Sequence, residues 1–199
     1  NDCSAAGAQL LTLLSSGISV YSAHTNLDKA KGGTDDTLAD LLGLVDARPL
    51  TTEAVIASGT QKAFRPSFGR IGYLPEKMRL HDYLRKVRSV LNAGSADYIG
   101  DPEREIQVVA SCAGAGGDLI DAARSAGADL FITGEVKYHE ALTVLDGTMA
   151  LAELGHYATE RPAMTRLIQH LQNAVNALQY TIEVIPSEDY GNCFRRLRE

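Results

Sequence analysis

The sequence predicts an α/β fold in which a largely parallel sheet is flanked by helices, and three observations carry that prediction. Apolar runs of strand length at 106–112, 129–133 and 149–154 alternate with segments of helical period. The helical segments each keep one apolar stripe. Residues able to do chemistry recur just beyond the strand-like runs, at the edge where open α/β sheets bind ligands. With 199 residues, 45% apolar and 22% charged, the chain has ordinary globular composition and room for one domain or two small lobes sharing a core.

The chain begins at Asn1 and runs directly into an amphipathic helix with Leu10, Leu11, Leu13 and Leu14 on one side, stopped by Gly17, so it reads as starting in the middle of a fold. The β-branched and aromatic segment 18–23 predicts a strand leading into His24-Thr25-Asn26-Leu27-Asp28. After Gly32-Gly33, Thr34 or Asp35 caps a helix with Leu38, Leu41 and Leu42 inward, closed by Gly43. Residues 44–75 are mixed, with β-like pieces at 53–57 and 68–73 and Leu74-Pro75 as an exit. A helix is predicted from Lys77, with Leu80, Tyr83, Leu84, Val87, Val90 and Leu91 inward and Asn92-Ala93-Gly94 as its end.

Next, 106–112 predicts a buried strand, 114–117 a tight glycine turn, 118–125 a helix and 129–133 a parallel strand reached by a right-handed crossover. A helix at 138–145 and a strand at 149–154 revisit the same edge. The last helix is expected over 162–178, with Pro162 in its first turn, followed by a strand at 180–185.

Composition excludes several function classes. The sequence has no stretch of 18 apolar residues and no signal-peptide pattern, which leads to the expectation of a cytoplasmic protein with no membrane partner. Cys3, Cys112 and Cys193 are odd in number and lack a C-x-x-C partner, against a disulfide framework or zinc knuckle. A formal net charge of -6 gives no field for phosphate backbones, so nucleic acid is not an expected partner. The basic residues between Lys77 and Arg88, and Arg195, Arg196 and Arg198, read as solvated faces and a tail.

Three histidines stand just after predicted strands, each four residues from an acid: His24 with Asp28, His139 with Glu135, and His156 with Glu160. That spacing puts an imidazole and a carboxylate on one face of a helical turn, a donor set for a divalent cation. Imidazole and carboxylate without thiolate suit zinc, manganese or ferrous iron. Such an ion activates water for hydrolysis, and Glu135 and His139 are the candidates for moving protons. The glycine turn at 114–117 lacks the third glycine of a dinucleotide fingerprint and the Lys-Ser/Thr of a P-loop, and reads as a tight βα connection. No G-x-S-x-G elbow supports a serine nucleophile.

Three long motifs then stand out: Val20-Tyr21-Ser22-Ala23-His24-Thr25-Asn26-Leu27-Asp28 with Gly32-Gly33, Phe131-Ile132-Thr133-Gly134-Glu135-Val136-Lys137-Tyr138-His139, and Gly155-His156-Tyr157-Ala158-Thr159-Glu160. With Gly69-Arg70-Ile71-Gly72 they resemble, over nearly the whole chain, the YbgI/YqfO family, also called Nif-three-like and named GTP cyclohydrolase 1 type 2 homologs. The resemblance implies two interlaced α/β lobes with mixed or parallel sheets, one from 1–47 with 150–199 and the other from 48–149. It also implies a ring-shaped homohexamer and up to two metal ions facing the ring's interior. Asp28, His156 and Glu160 match family metal ligands, and His24 and His139 match residues lining the same site. The family carries an earlier strand ending in His-His-Pro, absent from this sequence, so the first lobe is expected to lack its opening segment. The function implied is metal-dependent hydrolysis of GTP or a related nucleotide or phosphoester; the alternative is a non-catalytic, metal-binding oligomeric adaptor.

Overall fold

Leu130, Phe131 and Ile132 are consecutive and have no solvent exposure, which requires a strand covered on both faces. In the computed structural model, which describes residues 4–51, 68–187 and 191–194, these residues lie on one of six strands: β1 (Val45–Pro49), β2 (Arg70–Arg79), β3 (Asp97–Ile99), β4 (Glu105–Ala115), β5 (Leu130–Glu135) and β6 (Ala150–Glu153). They pair into one sheet in the order β1-β2-β4-β5-β6-β3. The β4-β5 and β5-β6 pairs are parallel, while β1-β2, β2-β4 and β3-β6 are antiparallel. The parallel core thus carries antiparallel margins on both sides, and the predicted α/β class holds with a mixed sheet.

Helices cover both faces. Leu38, Leu42, Leu80, Tyr83 and Val87, from α3 (Thr34–Leu41), its C-cap and α4 (Leu80–Val90), pack with Val109, Leu130, Ile132, Ala152 and Leu154 on one side. Ala158 of α7 (His156–Ala177) joins the margin of that cluster. The other face buries Ile120 and Ala123 of α5 (Ile120–Ser125) against Ala110, Cys112, Phe131 and Leu151. The small α6 (Tyr138–Ala141) and the 3₁₀ turn Leu142–Val144 follow on that face. Among the described residues, no helix is long and apolar enough to cross a membrane. β1 straddles the expected lobe boundary at 47/48 and β6 begins at the boundary at 149/150, so strands from all three expected segments share one sheet.

The structure corrects several expected elements. The segment 18–23 is exposed and forms neither helix nor strand, and 180–185, exposed but for half-buried Val184, likewise pairs with no strand among the described residues. β-branched composition supplies the propensity for a strand and not its neighbour. α1 (Ala5–Ser15) forms as expected, capped by Ser4, yet buries none of its residues. β2 passes the expected exit at Leu74-Pro75 and continues to Arg79, with its irregularity between Tyr73 and Met78 accommodating Pro75 where ladder bonds lapse. The helix expected from Lys77 therefore starts at Leu80. α7 begins at His156 and carries Pro162 inside it, because Gly155, at φ 93°, turns the chain straight from β6 into the helix. The β-like piece at 53–57 and the Arg195, Arg196 and Arg198 tail lie outside the described residues.

Asp35, in the first turn of α3, ties the helix layer to the sheet. It is 1% exposed and accepts from the Gly69 N–H at 2.7 Å and the Ala113 N–H at 3.0 Å. Burial pushes its carboxyl from 3.8 up to about 6, against the pull of those two bonds and of Arg70, with Asp28 adding to the rise. A carboxyl whose folded pKa is raised stabilises the fold below about pH 3.8 and loses that contribution as pH climbs through about 6. Relative to Asp35→Asn, the wild-type unfolding free energy is expected to fall by on the order of 3 kcal/mol between about pH 4 and 7. Urea titrations at each pH check this, and a difference that grows in the wild type's favour with rising pH contradicts it.

Candidate metal centre

The carboxyl ends of the parallel strands deliver the chemistry. Glu135 closes β5, and Gly155 leads from β6 into α7, whose first turn carries His156 and Thr159, with Glu160 opening the second. Helical spacing brings His156 Nε2 to 3.0 Å from Glu160 Oε1. Glu135 reaches the other ring nitrogen, its Oε2 lying 3.0 Å from Nδ1. Burial works against charge on this imidazole, but the Glu135 hydrogen bond and the fields of Glu160 and Glu135 outweigh it and raise the His156 pKa.

Close packing of glycine holds this turn in place. Thr159 is 1% exposed; its hydroxyl accepts from the Gly114 N–H at 3.1 Å and lies 3.0 Å from the His156 carbonyl. Thr133 donates to the Gly114 carbonyl at 3.0 Å and accepts from the Gly116 N–H at 2.9 Å. Gly114 has φ 66°, and a Cβ there would run into the Glu160 carboxylate. The turn at 114–117 is the tight connection expected after β4, and the structure adds that it lets α7 approach.

The other expected residues are placed less closely. Asp28 lies in the short α2 (Thr25–Lys29); its charge bears on Asp35 and, together with that of Glu160, on the buried Cys112 thiol. His24 is the exposed N-cap of α2, and His139 is exposed on α6. Neither makes a hydrogen bond or ion pair with Glu135, His156 or Glu160 among the described residues. Glu135, which spacing pairs with His139, instead serves His156, 21 positions away.

These residues fit a divalent ion in part. A metal-ligating histidine ordinarily anchors its second ring nitrogen on a carboxylate, and Glu135 supplies that anchor. His156 Nε2 and Glu160 then form an adjacent donor pair. Glu135 and Glu160 sit at opposite nitrogens of one ring and cannot share an ion, and no group of three or more His, Cys, Asp or Glu converges as a metal cage among the described residues. Thr159 and Asp35 were missed by spacing, since their roles are backbone bonds across the fold; the glycines at strand ends were the signal that such packing exists.

Comparison with known proteins bears on family and fold. The sequence model of the family described as Duf34/NIF3 (NGG1p interacting factor 3) matches residues 2–192. The chain is 28% identical over 183 residues to the GTP cyclohydrolase 1 type 2 homolog of Clostridium acetobutylicum, covering 92% of this chain and 66% of that protein. It is 34% identical over 160 residues to the protein of the same name from Nostoc sp., covering 78% of this chain and 57% of that one. The chain thus spans less than two thirds of the length of either relative. Among solved structures, a Bacillus cereus protein related to NIF3 superposes with a TM-score of 0.86 at 19% identity, covering 99% of this chain and 79% of that one, a likeness of fold. Protein ybgI gives 0.66 at 30% identity, with 83% and 61% covered.

Proposed function

The chain belongs to the Duf34/NIF3 family, and from that premise we propose that it binds a divalent metal ion through His156 and Glu160 and hydrolyses GTP or a related nucleotide. The observation that carries this reading is the His156 ring, anchored at Nδ1 by Glu135 and presenting Nε2 at 3.0 Å from Glu160. Asp28 and His24 are proposed to complete the ligand set, with zinc, iron or manganese as the ion. The names of the curated relatives support the nucleotide.

When bound, a divalent ion supplies Lewis acidity and an activated water. The chain's own residues orient and move protons around it. Glu135 fixes the His156 ring and its tautomer by accepting from Nδ1–H, and is proposed, with His139, to help move protons. His139, one residue into α6, is proposed to carry a proton from the substrate side to solvent. Thr159 and Gly134 keep the first turn of α7 pressed to the strand ends, so the donor pair does not drift. We further propose a cytoplasmic homohexamer with its ions facing the interior of the ring.

Turnover of GTP by the purified chain in the presence of manganese or zinc, followed chromatographically, tests the activity. Asp28→Ala and Glu160→Ala are each expected to lower it by a factor of at least about 100. Undiminished turnover in both sinks the proposal. Metal bound at stoichiometry with no turnover of nucleotides or phosphoesters replaces the hydrolase with the non-catalytic adaptor.

A further inference from the structure

On the face of the sheet away from α7, α6 and the 3₁₀ turn after it leave a cavity of about 400 Å³ against the β3-β6 pair. Its wall is mostly apolar, formed by Ile99, Val136, Leu142, Leu145 and Leu151, with Tyr138 at its mouth. Tyr138 and Leu145 are 82% and 63% exposed, unusual for side chains of that size beside a concave surface.

Among the described residues, no basic side chain lines this cavity to balance its acids. Asp97 and Glu153 are direct partners across the antiparallel β3-β6 pair, so their side chains rise on the same face of the sheet, and both line the cavity. Like charges in that relation repel. Partial burial, then the charges of Asp97 and Glu135, hold the Glu153 carboxyl above its ordinary value, and only the Val136 N–H, 3.3 Å away, opposes them. No Lys, Arg or His is among the lining residues, and the neighbouring Lys137 is paired with Glu140 at 3.3 Å.

Two carboxylates above an apolar, tyrosine-edged wall match a ligand with one positive group and a hydrocarbon or aromatic body. Such a cation would sit between Asp97 and Glu153 and relieve their repulsion, while its body would cover Leu142, Leu145 and Tyr138. We propose that this cavity binds a small organic monocation, a protonated amine or guanidinium carrying an apolar body. The inference stands apart from the metal reading, because the cavity lies on the other face of the sheet and uses none of the proposed ligands.

Calorimetric titration of the full chain with phenethylammonium, and with uncharged phenethyl alcohol, tests it. The cation is expected to bind saturably and at least about tenfold more tightly than the alcohol, with about tenfold loss in the double variant Asp97→Asn/Glu153→Gln. Metal content of that variant is expected to stay unchanged. If the double variant does not fold, Asp97→Asn alone, at an exposed position, is expected to weaken the cation about threefold. Equal affinity for the two probes, no saturable binding of the cation at millimolar concentration, or full affinity in a folded variant overturns the proposal.

Discussion

Replacing Gly134 by alanine is expected to cost about 3 kcal/mol of stability and to lift the first turn of α7 off the sheet. A Cβ at that position would stand 2.5 Å from Thr159 Oγ1, 2.7 Å from the Gly114 carbonyl oxygen and 2.9 Å from His156 Cα. Two of those atoms belong to backbone, one in β4 and one in the helix, so no side-chain rotation makes room. Displacing the helix also breaks the buried Gly114 N–H to Thr159 hydrogen bond, adding an unsatisfied donor. Gly127→Ala is the matched control: its φ of 79° carries the left-handed strain, but nothing lies within 4 Å, so about 1 kcal/mol is expected. Urea unfolding of both variants measures the difference. Equal losses contradict the claim that helix and strand ends meet at this glycine.

The second large effect is on cation affinity. Glu160→Gln keeps the size of the side chain and removes its charge, leaving His156 Nε2 beside a neutral amide. Divalent-ion affinity is expected to fall by about a hundredfold or more, roughly 3 kcal/mol. Because Glu160 is near the start of a 22-residue helix and half-exposed, the fold itself is expected to hold, within about 0.5 kcal/mol. Competition with a chelating dye reads the affinity directly. An unaltered dissociation constant in a folded variant removes Glu160 from the ligand set.

The sheet's parallel centre was legible because β4, β5 and β6 are apolar runs separated by helix-length crossovers, and burial on both faces leaves such runs little choice. Its margins were not. β3 has three residues, too few to show a period, and β1 includes Arg48 and Pro49, which carry no strand signal. Segments 18–23 and 180–185 show the converse, having strand composition without a partner strand among the described residues. Pro162 suggested a helix start, yet burial of Thr159 and Ala163 on one side of α7 favours a helix that begins six residues earlier. At the site, the His156–Glu160 pair follows from spacing alone, since a four-residue interval on a helix fixes proximity. The Glu135–His156 contact does not, because it depends on adjacent parallel strands bringing residues 21 apart to one edge. The same limit hid the cross-strand Asp97–Glu153 pair, which depends on a register no local pattern encodes.

The central claim, that the anchored imidazole and its neighbouring carboxylate hold a metal, is tested most directly by elemental mass spectrometry of the purified chain and of His156→Ala. At least about one zinc, iron or manganese ion per chain in the wild type, lost in the variant, is the predicted result. Equal metal content in the two proteins, or none in either after incubation with each ion, contradicts it.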